Sequence, residues 1–364
     1  MRTFPRPRPR AIRDLDPLDC VFRRFPSTRY QGSKRKLALA IVRELAELPF
    51  HTVLDAFGGT GSVAYAFKAI GKSVTYNDSL EFNRQIGLAL IENDAATRPL
   101  HRVDALGERR RDVRYGDFIE RTFSGIYFTD EENRWLDTAV GNIRGIKDRF
   151  QQALAWFAVI QAAIAKRPYN LFHRKNLYMR LAEVKRGFGN KRTWDRSFPE
   201  LVRRFAEEAN DAVLKSGGTC RAICADVLDV ESDFDLVYLD PPYMNFRGVG
   251  VPYRDFYHFL EGLVRYDEWP DLLDAKSRHR AMVRDRDPWS DASSVRDAFL
   301  SLFRKHGRSI IAVSYRSDGV PSVDELAHML RGVKRRVRVV ELGAYRYVLS
   351  DNRATREMLL IGTD

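Results

Sequence analysis

The sequence predicts an α/β fold built on an open, mostly parallel sheet, and three stretches carry that prediction. Leu236-Val237-Tyr238-Leu239 is an unbroken apolar run with β-branched and aromatic residues, the pattern of a strand buried on both faces. It must stop at Asp240, because Pro241-Pro242 has fixed φ and no N–H to continue a ladder. Thr52-Val53-Leu54-Asp55 is a second short strand, and a glycine-rich turn and a helix start follow it. Ser309-Ile310-Ile311-Ala312-Val313-Ser314-Tyr315 is a third. Asp240 therefore stands at the carboxyl end of a sheet strand, where open α/β sheets bind ligands.

Length and charge narrow the class. The chain has 364 residues, 44% of them hydrophobic, enough for one large α/β domain with an insert or a second small domain. A formal net charge of +12 favours a polyanionic partner. Cys20, Cys220 and Cys224 are too few and too scattered for a disulfide framework; Cys220 and Cys224, four apart with no second pair, make a poor metal site and read as small core residues. No apolar run is long enough for a membrane span, and the basic N-terminus lacks the apolar core of a signal peptide. A reducing, cytoplasmic setting is expected, with no metal and no membrane.

Taken in order, residues 1–24 read as a basic, flexible arm, since Arg6-Pro7-Arg8-Pro9-Arg10 can bury almost nothing. Tyr30-Gln31-Gly32-Ser33-Lys34 is a polar turn opening a helix, with Lys34 placed to attract an anionic group. In Phe57-Gly58-Gly59-Thr60-Gly61 the glycines allow a tight turn and close approach of a ligand. Ser73 to Tyr76 forms the next strand, and Asp78 at its end is placed to accept ribose hydroxyls.

Residues 86–220 lack sheet-like runs of any length and are rich in arginine, so they read as mostly helical. Gln152 to Ala165 is apolar on most faces and predicts a buried helix. After it, Arg167, Arg174, Lys175 and Arg180 interleave with Tyr169, Asn170, Asn176 and Tyr178, a composition suited to gripping phosphates and reading bases. Cys220 to Val227 is a short strand ending at Asp226. Tyr253 to Leu260 starts an aromatic-rich helix, and residues 265–300 read as helical with Trp269 and Trp289 as anchors. Val337 to Leu349 and Glu357 to Gly362 read as a hairpin closing the sheet, its antiparallel edge.

Four of these motifs appear in a telling order: Tyr30-x-Gly32-x-Lys34, Asp55-x-Phe57-x-Gly59-x-Gly61, Asn77-Asp78, and Asp240-Pro241-Pro242-Tyr243. In that order the chain resembles the Dam-like, D12-class N6-adenine DNA methyltransferases. Tyr30 stands where many members have tryptophan, and Ser33 replaces a common glycine. The resemblance implies a Rossmann-like, S-adenosylmethionine-dependent sheet spanning 25–85 and 221–364, with residues 86–220 as an inserted target-recognition region. It implies that Tyr30, Lys34, Asp55, Phe57, Gly59, Gly61, Asp78, Asp226 and Asp240 bind the cofactor. Asp226 would accept the amine of its adenine, although Val227 departs from the aromatic common at that point. It also places an Arg-x-Asn segment near the DNA, so Arg167, Tyr169, Asn170, Arg174, Lys175, Asn176 and Arg180 are the expected contacts.

The implied reaction is methyl transfer to adenine N6 at a specific sequence in double-stranded DNA, in a restriction–modification or phage setting. A cognate restriction endonuclease would act independently. Asp240 and the Pro241 carbonyl would accept the two amino hydrogens, Pro242 would stiffen the turn, and Tyr243 would stack on a flipped-out base. Other readings stay open at this point: the same chemistry on cytosine N4 or on RNA, a nicotinamide-dependent oxidoreductase using the glycine turn, and a nucleic-acid-binding protein with an inactive catalytic fold.

Overall fold

The computed structural model describes residues 17–94, 101–183, 191–244, 248, 250–283, 287–344 and 355–364. Its sheet has seven strands: β1 (Thr52–Asp55), β2 (Ser73–Asp78), β3 (Arg221–Cys224), β4 (Leu236–Leu239), β5 (Ile310–Arg316), β6 (Arg336–Ala344) and β7 (Arg356–Thr363). Their spatial order is β3-β2-β1-β4-β5-β7-β6. The first five are parallel; β7 runs antiparallel to β5, and β6 antiparallel to β7. All four residues of β4 are buried, as the unbroken apolar run requires of a central strand.

From β1 the chain builds outward to β2 and β3 on one side and to β4 and β5 on the other. The direction reverses between β1 and β4, which opens a crevice at their carboxyl ends. Asp55 lies opposite Tyr238, so Asp55 and Asp240 border that crevice from adjacent strands.

The segment between β2 and β3 is helical throughout its described elements, as its composition predicts. Asp148 caps the Arg149–Ala165 helix by accepting from the amides of Phe150 and Gln151, and every residue from Ala153 to Ala165 is buried. This helix packs on the Phe198–Ala212 and Glu81–Gly87 helices. Phe157, Ile160, Leu201 and Phe205 share one core with Val53, Val74 and Tyr238 of the sheet. The helical segment and the sheet therefore share one continuous core.

Several expectations are corrected. Residues 17–24 are not an extended arm: Pro17–Phe22 is a helix whose Leu18 and Phe22 are buried. Phe22 stacks on Phe25 at 5.6 Å, and Arg24 Nε donates to Asp211 O at 2.8 Å. Leu18 and Phe22, four apart, supply an apolar face that the basic composition hides. Residues 1–16 lie outside the described residues. Cys224 is exposed and Cys220 only half-buried, so neither is a core residue; β3 is an edge strand and buries only Ala222. Among the described residues of 265–300 only Trp269–Leu272 and the start of Val295–Lys305 are α-helical, because turns led by Asp274, Asp287 and Asp291 interrupt. Trp269 and Trp289 are buried anchors as expected. The hairpin forms, with β7 inserted between β5 and β6; residues 345–349 lie outside the described residues. No helix among the described residues is long and apolar enough to cross a membrane.

Candidate active site

The glycine turn after β1 is locked to the end of β2. Gly59 and Gly61 have φ of 50° and 73°, the left-handed region that favours glycine. A Cβ at Gly58 would lie 2.0 Å from the Tyr76 ring. The Asp78 carboxylate accepts from the amides of Gly59 at 3.0 Å and Leu80 at 2.9 Å. Burial nonetheless pushes its pKa above the usual range.

The turn at 30–34 closes over this one. Ser33 Oγ lies 3.2 Å from Thr60 Oγ1, and Gln31 N donates to Tyr257 Oη at 2.8 Å. Tyr30 stacks on Tyr257 at 4.5 Å and Tyr253 at 5.5 Å, forming an aromatic wall. Between these turns and the end of β4 is one cleft of about 650 Å³. It is lined by every residue the sequence put forward for the cofactor except Gly61, and by Pro241, Pro242 and Tyr243. Gly61 serves the turn instead, leading directly into the Ser62–Ala69 helix.

Asp55 is buried beneath the cleft. Its Oδ2 accepts from Ala64 N at 3.2 Å, while among the described residues Oδ1 has no hydrogen-bond partner. Burial, then the neighbouring Asp240 charge, raises its pKa to about 8. A carboxyl raised in the folded state binds more protons there than when unfolded. Its contribution to stability is complete below the ordinary carboxylate pKa and is lost as pH rises toward about 8. Asp55→Asn should therefore raise the melting temperature of the free protein at pH 8 and leave it little changed at pH 4. Paired melting curves check this; an equal shift at both pH values would contradict it.

Asp240 is held by an unexpected partner. Lys34 Nζ donates to its Oδ1 at 2.8 Å and lies 2.5 Å from Tyr243 Oη, and the Tyr243 hydroxyl also hydrogen-bonds that same Oδ1. Glu357 on β7 approaches the same group, with Oε1 3.1 Å from Tyr243 Oη and 3.5 Å from Lys34 Nζ. Lys34 lines the cleft, and its buried ammonium is paired within this cluster. Among the described residues Asp240 Oδ2 makes no hydrogen bond. The Tyr243 ring packs edge-on against Tyr315 at 5.3 Å and forms part of the cleft wall.

The expected DNA-contact stretch divides in two. Arg167, Asn176 and Arg180 are buried, which corrects their assignment to a DNA-facing surface. Arg167 donates to the carbonyls of Tyr127 (3.1 Å), Leu171 (3.2 Å) and Arg174 (3.1 Å) and to Asn176 Oδ1. Its guanidinium also lies over the Tyr127 ring at 4.4 Å. Arg180 pairs with Glu132 at 2.7 Å, and Lys166 reaches the same carboxylate at 2.9 Å. These charges pin the loop from beneath. Arg174, Lys175, Tyr169 and Tyr178 are exposed, the two rings at 59% and 70%, and Asn170 is half-buried. Tyr169 and Asn170 both have left-handed φ, 62° and 59°, which projects the loop outward.

Glu357, Tyr253, Tyr257 and Trp289 were expected as parts of strands, helices or packing anchors and not as residues of the site. For Glu357 a signal existed: strand alternation puts it on one face with Leu359 and Ile361, both buried.

The family model described as D12 class N6 adenine-specific DNA methyltransferase matches residues 30–306. Type II methyltransferase M2.HphI of Haemophilus parahaemolyticus is 28% identical over 330 residues, covering 87% of this chain and 91% of its own. Type II methyltransferase M.NlaIII of Neisseria lactamica is 24% identical, covering 82% and 86%. Type II methyltransferase M.FokI of Planomicrobium okeanokoites is 25% identical over 88% of this chain, which spans 49% of that relative.

Proposed function

Because the chain belongs to the D12 class of N6 adenine-specific DNA methyltransferases, we propose that this cleft receives both S-adenosylmethionine and an adenine extruded from duplex DNA. When bound, the cofactor supplies an electrophilic methyl group on a sulfonium. The cleft suits it: Asp55 offers an unpartnered buried carboxylate oxygen for an ammonium, and Asp78 a carboxylate for ribose hydroxyls. Tyr30 and Phe57 supply aromatic wall, Gly59 a backbone that a ligand can approach, and Asp226 a further acceptor at the rim.

The observation that carries the catalytic reading is the division of labour within Asp240. Oδ1 is fixed by Lys34 and Tyr243, which leaves Oδ2, with the Pro241 carbonyl beside it in the chain, to accept the two hydrogens of an amino group. The adenine amine is a poor nucleophile because its lone pair is delocalised into the ring. Accepting both hydrogens draws that lone pair out of conjugation and fixes its direction. The work is positioning and electrostatics, since none of the cysteines lines the cleft to act as a nucleophile. A base stacked in a duplex cannot reach this site, so it must flip out. Calorimetric titration of the parent protein tests the cofactor assignment. Binding of S-adenosylmethionine and no binding of NAD supports it; the reverse overturns it.

Double-stranded DNA is the partner, and the outward loop bearing Tyr169, Asn170, Arg174, Lys175 and Tyr178 is the surface proposed to meet it. A phosphate contact is blind to sequence, so Lys175→Ala should weaken binding to target and random duplex alike. It should also flatten the salt dependence by about one unit. Arg174→Ala, if it removes a base contact, should cost roughly 1–3 kcal/mol on the target and little on random DNA. Binding of both variants to both duplexes across a salt series checks this. Parent-like behaviour of both would move the recognition surface elsewhere. The relatives' type II designation supports a restriction–modification setting, with a cognate endonuclease acting independently in the cytoplasm.

A further inference from the structure

Glu357 is fully buried on β7, within a strand face otherwise built of Leu359 and Ile361. A carboxylate there is costly unless charge and hydrogen bonds hold it, and an apolar residue would pack at least as well. Its position lies beyond the residues 30–306 that match the family model. What it meets is the back of the Asp240 cluster, Tyr243 Oη at 3.1 Å and Lys34 Nζ at 3.5 Å.

We propose that Glu357 is a positioning residue for methyl transfer, acting through Tyr243 and Lys34 on Asp240; this rests on the catalytic reading of Asp240 above. The hydroxyl of Tyr243 has one proton and two carboxylate acceptors within reach, Asp240 Oδ1 and Glu357 Oε1. Lys34 adds three protons and donates to the Tyr243 oxygen and to Asp240. Glu357 supplies the second negative charge that keeps the Lys34 ammonium and the tyrosine hydroxyl seated between the two carboxylates. With both donors seated, Asp240 Oδ1 cannot swing away, and Oδ2 stays presented to the amine. Without Glu357 the donors are drawn wholly toward Asp240, the carboxylate rotates, and the acceptor geometry is lost.

The test compares Glu357→Gln, Tyr243→Phe and the double variant in single-turnover methyl transfer, with S-adenosylmethionine and target DNA affinities measured separately. Glu357→Gln should lower the rate by about 10- to 100-fold with both affinities within about twofold of the parent. The double variant should fall no more than about twofold below the slower single variant, because both substitutions cut the same link. A parent-like rate for Glu357→Gln overturns the proposal. So does a rate loss matched by equal losses of cofactor and DNA affinity, which is the signature of a purely structural residue. Multiplying effects in the double variant also overturn it. Should Glu357→Gln fail to fold, Tyr243→Phe decides: a slowed rate with intact affinities supports the link, and an undiminished rate breaks it. Asp240→Ala separates the two levels. If it is inactive while Glu357→Gln is fully active, only this inference fails; if Asp240→Ala is active, the reading beneath it fails as well.

Discussion

Asp240→Ala is expected to lower the single-turnover rate of methyl transfer by at least about 100-fold, the loss typical when a preorganised contact to the transition state is removed. The protein should still fold, because Asp240 sits at the end of β4 on a half-open cleft and not within the core. Lys34 keeps Tyr243 and Glu357 as partners in the variant, so no buried charge is stranded. Circular dichroism and cofactor titration should match the parent while methyl transfer is lost. Retention of more than about a tenth of the rate would remove Asp240 from the chemistry.

The second large effect is on architecture. Arg167→Ala should destabilise the protein by on the order of 3 kcal/mol, since it leaves a cavity and deprives several buried acceptors of their donor. The guanidinium ties the Leu171 and Arg174 carbonyls and the Asn176 side chain to the distant Tyr127 carbonyl, so its loss frees the loop that carries Tyr169 and Arg174. Burial holds its pKa down near 9, which marks a charge retained at a cost and stabilised by those acceptors. Denaturant unfolding checks the stability loss. Target DNA affinity should fall in the same variant although Arg167 faces the interior. A parent-like midpoint together with weakened DNA binding would instead make Arg167 a direct contact.

The contrast between Arg167 and Asp240 shows what the sequence could reveal. β4 and the turn after it were legible because an apolar run broken by two prolines has one physical solution, and the glycine turn after β1 likewise. Asp55, Asp78 and Asp240 each end a strand or follow it directly, so the parallel sheet brings them together without further information. The stretch from Lys166 to Arg180 was legible only in composition. Which of its cations face solvent depends on carbonyls and a carboxylate supplied by Tyr127 and Glu132, about 40 to 50 residues away in sequence. Local pattern holds no record of such partners. The partners of Lys34 were hidden for the same reason, since Asp240 and Glu357 stand more than 200 residues downstream. Helix Pro17–Phe22 was hidden beneath a composition that described its neighbours better than itself.

Methylation of the exocyclic amine of adenine in DNA by this cleft is read out by digesting DNA from a methylation-deficient host expressing the protein to nucleosides and separating them by mass spectrometry. N6-methyladenosine in its deoxy form should appear with the parent protein and be absent with Asp240→Ala. Methylation found only on cytosine N4, or adenine methylation undiminished in Asp240→Ala, would contradict the account.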